Sequence, residues 1–244
     1  MQLGLGLWKY KRKLRYFLNL YYMPLQSFKH KVFCISIQRS GTTSVGNFLS
    51  DHGYRVARWE DSLDNQWTYK WSIGDYESIF NSVAFRSFNA YEDDPWWASN
   101  FYRVLYHRFP KAKFVLLYRD SDSWFDSMMK HSSRKTIGNT YIHCKIYNRL
   151  SEFYYNLDNN PDFNPTIKHT DNLLSLDKNL CDHYKKIYEM HTRDTIEFFN
   201  TYSPNNFFSC QLEDKLKWHK LGKFLGITVK PSYDVHVNRS PSTE

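Results

Sequence analysis

Glycine and proline are scarce, at 9 and 8 among 244 residues. That scarcity excludes collagen-like repeats and low-complexity chains. No internal repeat or linker composition divides the sequence. Cysteine is scarce too. Cys34, Cys144, Cys181 and Cys210 show none of the short spacings of a zinc ribbon or a CxxC redox pair. They are expected as buried thiols of a protein in a reducing compartment. No apolar run approaches the ~20 residues that cross a bilayer. Acidic residues are outnumbered, 25 against 33 basic, for a net charge of +8. A basic surface suits an anionic partner, whether nucleotide, acidic glycan, nucleic acid or membrane surface, and charge alone does not choose among them. Aromatics are what the chain has in plenty, at 18%. A disordered chain lacks them, so a packed core is expected. The length fits one large α/β domain or two small ones.

Residues 1–30 stand apart. A basic cluster over residues 9–15 precedes an aromatic run over residues 16–23. Asn19 interrupts the apolar run and no small-residue cleavage site follows, unlike a signal peptide. Two readings stay open. The segment is a basic amphipathic stretch that touches a membrane surface or polyanion, or it is a helix that packs its aromatics on the rest of the chain. No Golgi-type anchor is visible, so a cytoplasmic location is expected, with contact at the membrane face through residues 1–30 as the open question.

From residue 31 onward, strand and helix signals alternate. Short apolar, β-branched runs predict strands at residues 31–37, 54–59, 113–118 and 207–211. Val45, Phe48, Leu49 and His52 have helical spacing, and Gly53 is a natural stop. His52 reads as a structural residue of that helix. Asp94 and Pro95 read as the N-cap and first turn of another helix, running to Pro110. Further helices are expected from Ser121, over residues 180–199, and over 218–225 with Gly226 as the stop. Residues 132–170 read as polar and irregular, with Asn-Pro turns. This alternation predicts a single α/β domain over residues 31–244. It would be three-layered, with a mostly parallel central sheet and helices on both faces.

Two loops carry chemistry. The first strand runs into Gln38, Arg39, Ser40, Gly41, Thr42, Thr43 and Ser44, and then a helix. A helix N-terminus leaves its first N–H groups without intrahelical partners, and its dipole favours an anion there. Arg39 adds a fixed charge, and Thr42, Thr43 and Ser44 add hydroxyl donors. A Walker A loop is excluded, because Ser36 stands where its first Gly would be and Thr42 where its Lys would be. The second loop follows the strongest strand, KFVLLY, and begins with Arg119; Ser127 lies eight residues on. Ligands of doubly wound sheets sit beyond the carboxyl ends of the strands, so both loops share a rim. Arg119 and Ser127 there suit a second phosphate. The plainer alternative pairs Arg119 with Asp120 or Asp122.

Together these pieces resemble the PAPS-dependent sulfotransferase family. The loop from Gln38 to Ser44 is similar to that family's 5′-phosphosulfate loop. Phe109-Pro110-Lys111-Ala112-Lys113-Phe114, then Arg119-Asp120-Ser121 and Trp124 to Ser127, are similar to its 3′-phosphate motif. Trp218, Leu221, Phe224, Leu225 and Gly226 are similar to its closing helix. The Arg-Ser-Gly-Thr form of the loop matches the branch with carbohydrate and tyrosylprotein sulfotransferases. The Arg-Lys-Gly motif of the small-molecule branch is missing near the C-terminus.

The resemblance implies a P-loop-NTPase-like fold, with PAPS as sulfuryl donor, PAP as product and no metal requirement. Arg39, Ser40, Gly41, Thr42, Thr43 and Ser44 would hold the 5′-phosphosulfate, and Arg119 and Ser127 the 3′-phosphate. Trp124 would shape the pocket or be a structural core residue. Arg39 would stabilise the bridging oxygen. Arginine stays charged at any working pH, which makes it a poor proton donor.

An alcohol acceptor needs a general base. Glu60, 21 residues after Arg39, is placed similarly to the catalytic Glu of carbohydrate and tyrosylprotein members, which implies the base role for it, with Asp94 as second choice. The acceptor would be a small molecule or glycan, and Lys130, His131, Arg134, Lys135, Lys145 and Arg149 would suit an anionic one. The competing functions are a P-loop-type nucleotide kinase or NTPase and a non-catalytic polyanion binder. No RNP, KH or zinc pattern points to nucleic acid.

Overall fold

In the computed structural model, residues 2–21, 30–131, 140–160, 174 and 176–235 are described. Helix α1 (Gln2–Tyr21) precedes the first strand, β1 (Val32–Cys34), and α2 (Thr42–Asp51) leads to β2 (Val56–Ala57). Four short helices fill the crossover to β3 (Ala90–Tyr91): α3 (Trp59–Asn65), α4 (Trp67–Ser72), α5 (Tyr76–Phe80) and α6 (Val83–Arg86). Then come α7 (Phe101–Arg108), β4 (Lys113–Tyr118), α8 (Ser121–Lys130), α9 (Thr140–Ile146) and α10 (Leu150–Asn159). Helix α11 (Cys181–Tyr202) leads into β5 (Phe207–Gln211), and α12 (Lys217–Leu225) follows.

The five strands form one sheet in the order β2-β3-β1-β4-β5, and every pairing is parallel. Parallel sheets need both faces covered, and the side-chain alternation of the central strands shows how. Phe33, Phe114 and Leu116 enter one core with Phe101 and Leu105 of α7 and Phe198 and Phe199 of α11. Val32, Cys34, Val115 and Leu117 enter the other with Val45, Phe48 and Leu49 of α2 and Trp218 and Leu221 of α12. The period-2 pattern therefore feeds two helical layers, and the three-layer α/β architecture holds.

Several local expectations are corrected. β1 is shorter than the apolar run over 31–37. Beyond Cys34 the Ile35 N–H still bonds Val115 O at 2.9 Å, and Ile37 O then closes a turn with the Ser40 N–H at 3.1 Å. β2 is a two-residue strand, and β3 had no sequence signal at all. The helix expected from Asp94 begins at Phe101 instead, because Ser99 takes a left-handed φ of 45° that no helix continues through. Part of the supposedly irregular 132–170 segment is helical, α9 and α10, which bury Ile142, Cys144 and Phe153. Residues 132–139 and 161–170 of that segment lie outside the described residues. All four cysteines are free, and Cys34, Cys144 and Cys210 are buried.

Candidate functional site: a cradle between two loops

β1 is the middle strand, so the chain leaving it emerges at the carboxyl edge between β3 and β4. Two left-handed residues shape the loop there, Arg39 at φ 65° and Gly41 at φ 82°. Gly41 is the N-cap of α2 and brings no side chain to cap it. The left-handed backbone at Gly41 favours glycine, and a Cβ there would lie 2.6 Å from Leu212 Cδ1 and force that side chain to move. The first turn of α2 carries no acid. Its leading N–H groups, the Thr43 hydroxyl on a partly exposed residue, and the dipole thus present a positive end at this edge. Thr42 and Ser44 are buried beside it.

The second loop begins where β4 ends. Asp120 N-caps α8 by accepting the Ser123 N–H at 3.0 Å. That fixes the helix register and turns Ser127 toward the first loop, where its Oγ accepts the Arg39 Nε–H at 3.0 Å. Asp122 pairs with Lys185. Neither acid therefore takes Arg119, whose Nε lies 3.4 Å from Oε1 of the more exposed Glu213. Arg39 and Arg119 lie close enough to repel. Burial first, and Arg119 second, hold the Arg39 guanidinium below its ordinary value. His131 at the end of α8 is also lowered, by burial and then by Arg39. Arg39 thus lies within electrostatic reach of both Arg119 and His131, a repulsion that a nearby anion would relieve.

Tyr188 of α11 joins the loops. Its hydroxyl accepts the Arg119 backbone N–H at 2.9 Å and lies 2.9 Å from Ser40 Oγ. Its ring stacks on Trp124 with centroids 4.4 Å apart, and the Trp124 indole N–H donates to Gln38 O at 2.9 Å. Trp124 is fully buried, so it shapes the loop from beneath. Gln38 in turn donates to the Tyr147 hydroxyl at 2.6 Å. Sequence reasoning places Tyr188 only within the helix expected over residues 180–199 and gives it no role.

A group of carboxyl side chains occupies the same edge on the β2–β3 side. Glu60 is the second residue of α3 and exposed, three residues beyond the end of β2. It lies close enough to Glu92 and Asp93 to help raise both carboxyls. Burial, then Asp93, push Glu92 up to about 8 against the pull of Arg58, whose Nη1 is 3.3 Å away. Asp94 is buried, not a helix cap. Burial and then Asp93 raise its carboxyl well above the usual range, and its Oδ1 has no hydrogen-bond partner among the described residues.

The basic residues expected to meet an acceptor divide. Lys130 is exposed and His131 half-buried. Lys145 is held by Ser72 O. Arg149 is buried against Glu152, Leu174 O and the Tyr184 hydroxyl. Those last two build the fold. Arg134 and Lys135 lie outside the described residues. His52 is structural as expected, its Nδ1 2.7 Å from Phe48 O and its ring against Phe48.

Fold and site define a parallel α/β protein in which two arginine-bearing loops meet beside a helix N-terminus at the carboxyl edge of the central strand. A profile of the sulfotransferase domain matches residues 31–239, from β1 through the closing helix. The chain belongs to the sulfotransferase family. A comparison with curated proteins finds no match.

Proposed function

We propose that this sulfotransferase takes its sulfuryl group from PAPS and passes it to a hydroxyl, or an amine, of a carbohydrate or glycan-like acceptor. One observation carries the donor assignment: Arg39, in the loop that opens α2, lies within electrostatic reach of Arg119 from the second loop and donates to Ser127 Oγ of α8. A donor with phosphates at both ends supplies anions for both loops.

In this reading the leading amides of α2 and the side chains of Ser40, Thr42, Thr43 and Ser44 position the 5′-phosphosulfate. Arg119 and Ser127 hold the 3′-phosphate. PAPS supplies an activated sulfuryl group, whose bond to the bridging oxygen breaks as the acceptor oxygen bonds to sulfur. Arg39 stabilises the charge that develops on that bridging oxygen, and fixed donors of this kind cost no reorganisation as the charge forms. Glu60 takes the acceptor proton. Its exposure on the open side of the edge supports that role, whereas Asp94 is buried away from an incoming acceptor. Lys130 and His131 favour an anionic acceptor.

The test is calorimetric titration of PAP into the wild type and Arg119→Ala, with ATP as control. We expect PAP to bind well and ATP weakly. The substitution should cost at least ~1.5 kcal/mol, the worth of a charged hydrogen bond. Glu60→Gln should keep PAP binding and lose roughly 100-fold or more in transfer to a saccharide panel. A folded protein that ignores PAP would overturn the donor assignment.

A further inference from the structure

Helix α1 is mounted with its polar side inward. Arg12 is buried, with Nε 2.9 Å from Asp64 Oδ2. Arg15 pairs with the buried Asp61, and the buried Tyr16 donates to the same carboxylate at 3.0 Å. Asn65 closes the joint by donating to the Tyr16 hydroxyl at 3.2 Å. Four aromatic and aliphatic residues of the helix point the other way. Tyr10 is 68% exposed, Leu14 48%, Phe17 62% and Leu18 48%. At about 100° per residue these four project within roughly a 100° arc, centred about 180° from Arg12, Tyr16 and Asn19. Lys11 and Lys13, both exposed, border that arc on its two sides. A helix that served only to cover the domain would bury the apolar arc and expose the cations.

We infer that this face of α1 docks on an anionic lipid surface, lying in the headgroup plane with Leu14, Phe17 and Leu18 inserted and Lys11 and Lys13 at phosphate level. Aromatic and aliphatic anchors flanked by lysines are the composition of an interfacial helix. Charge complementarity selects the occupant. A second copy of this chain, itself at +8, would set lysines against lysines, whereas an anionic bilayer supplies the opposite sign. Among the described residues no helix is long and apolar enough to cross a membrane, so the contact is with the surface.

The experiment is flotation of the full chain with vesicles of phosphatidylcholine, alone or mixed with phosphatidylserine. The wild type should float with the mixed vesicles and be released by salt. Lys11→Glu/Lys13→Glu should weaken binding at least about tenfold, since each lysine near such a surface contributes roughly fivefold. Leu14→Ser/Phe17→Ser/Leu18→Ser should weaken it at least about tenfold as well, through lost apolar insertion. All these residues are exposed and outside the cradle, so PAP binding and the circular dichroism spectrum serve as fold controls. If the triple variant fails them, Phe17→Ser alone replaces it. Three results overturn the inference: no flotation of the wild type, flotation that none of the variants changes, or a dimer in solution that the triple variant dissolves while vesicles capture nothing.

Discussion

Tyr188→Phe isolates one hydroxyl at the junction of the two loops. The ring is 2% exposed and stacked on Trp124 at 4.4 Å, and phenylalanine keeps that packing. What is lost is the acceptor for the Arg119 N–H and the partner of Ser40 Oγ, on a residue with no solvent exposure. A buried polar group left without its partner costs about 1–3 kcal/mol. The Ser40 hydroxyl can rotate and recover part, so the sum should be about 2 kcal/mol. That is a large share of a typical domain stability of about 5–15 kcal/mol. Urea unfolding followed by tryptophan fluorescence would read it as a lower midpoint at unchanged slope. PAP affinity should fall by roughly tenfold in the same protein, because Arg119 and the first loop lose their shared anchor. Combined with Ser40→Ala, the losses should be non-additive by at least about 0.5 kcal/mol, as for residues in direct contact. A loss below about 0.5 kcal/mol, or strict additivity with Ser40→Ala, would refute the junction.

Other consequences follow from the same edge of the sheet. Gly41→Ala places a Cβ 2.6 Å from Leu212 Cδ1 at a φ of 82°; the left-handed backbone alone costs about 1–2 kcal/mol, so melting should show a comparable loss and calorimetry a loss of PAP binding. Glu92 gives a pH signature. Its carboxyl is raised from 4.5 to about 8 on folding, chiefly by burial, so the folded state holds the proton longer than the unfolded chain. Its contribution to stability is therefore whole below about pH 4.5 and declines as pH rises through 8. Between pH 5 and 7 the decline should be about 2–3 kcal/mol. Glu92→Gln should flatten that slope in urea unfolding run across the range, and a slope unchanged by the substitution would contradict it.

Much of the frame is legible in the amino-acid sequence because its signals are local. β4 and β5 begin and end where the apolar runs over 113–118 and 207–211 do. Asp120 caps α8 and Gly226 at φ 67° closes α12, each a decision made within one turn of chain. Arg39, Arg119 and Ser127 are legible as well, since a strand-loop-helix order places loop residues at one rim. The sequence alone therefore determined the class of fold and which two loops meet at the carboxyl edge. Only the tertiary structure decided the rest. β3 exists because β1 and β2 flank Ala90 and Tyr91, not because those residues demand a strand. Asp94 has the look of a helix cap and is instead a buried, partner-poor carboxyl, because the left-handed turn at Ser99 postpones the helix. Tyr188 meets Ser40 across 148 positions of sequence. Composition alone likewise leaves open which side of α1 faces the rest of the chain, and the carboxylates of α3 settle it by drawing in Arg12, Arg15 and Tyr16. Hydrogen bonds and ion pairs between distant segments are weak one by one, and they form only where the topology has already brought their partners together.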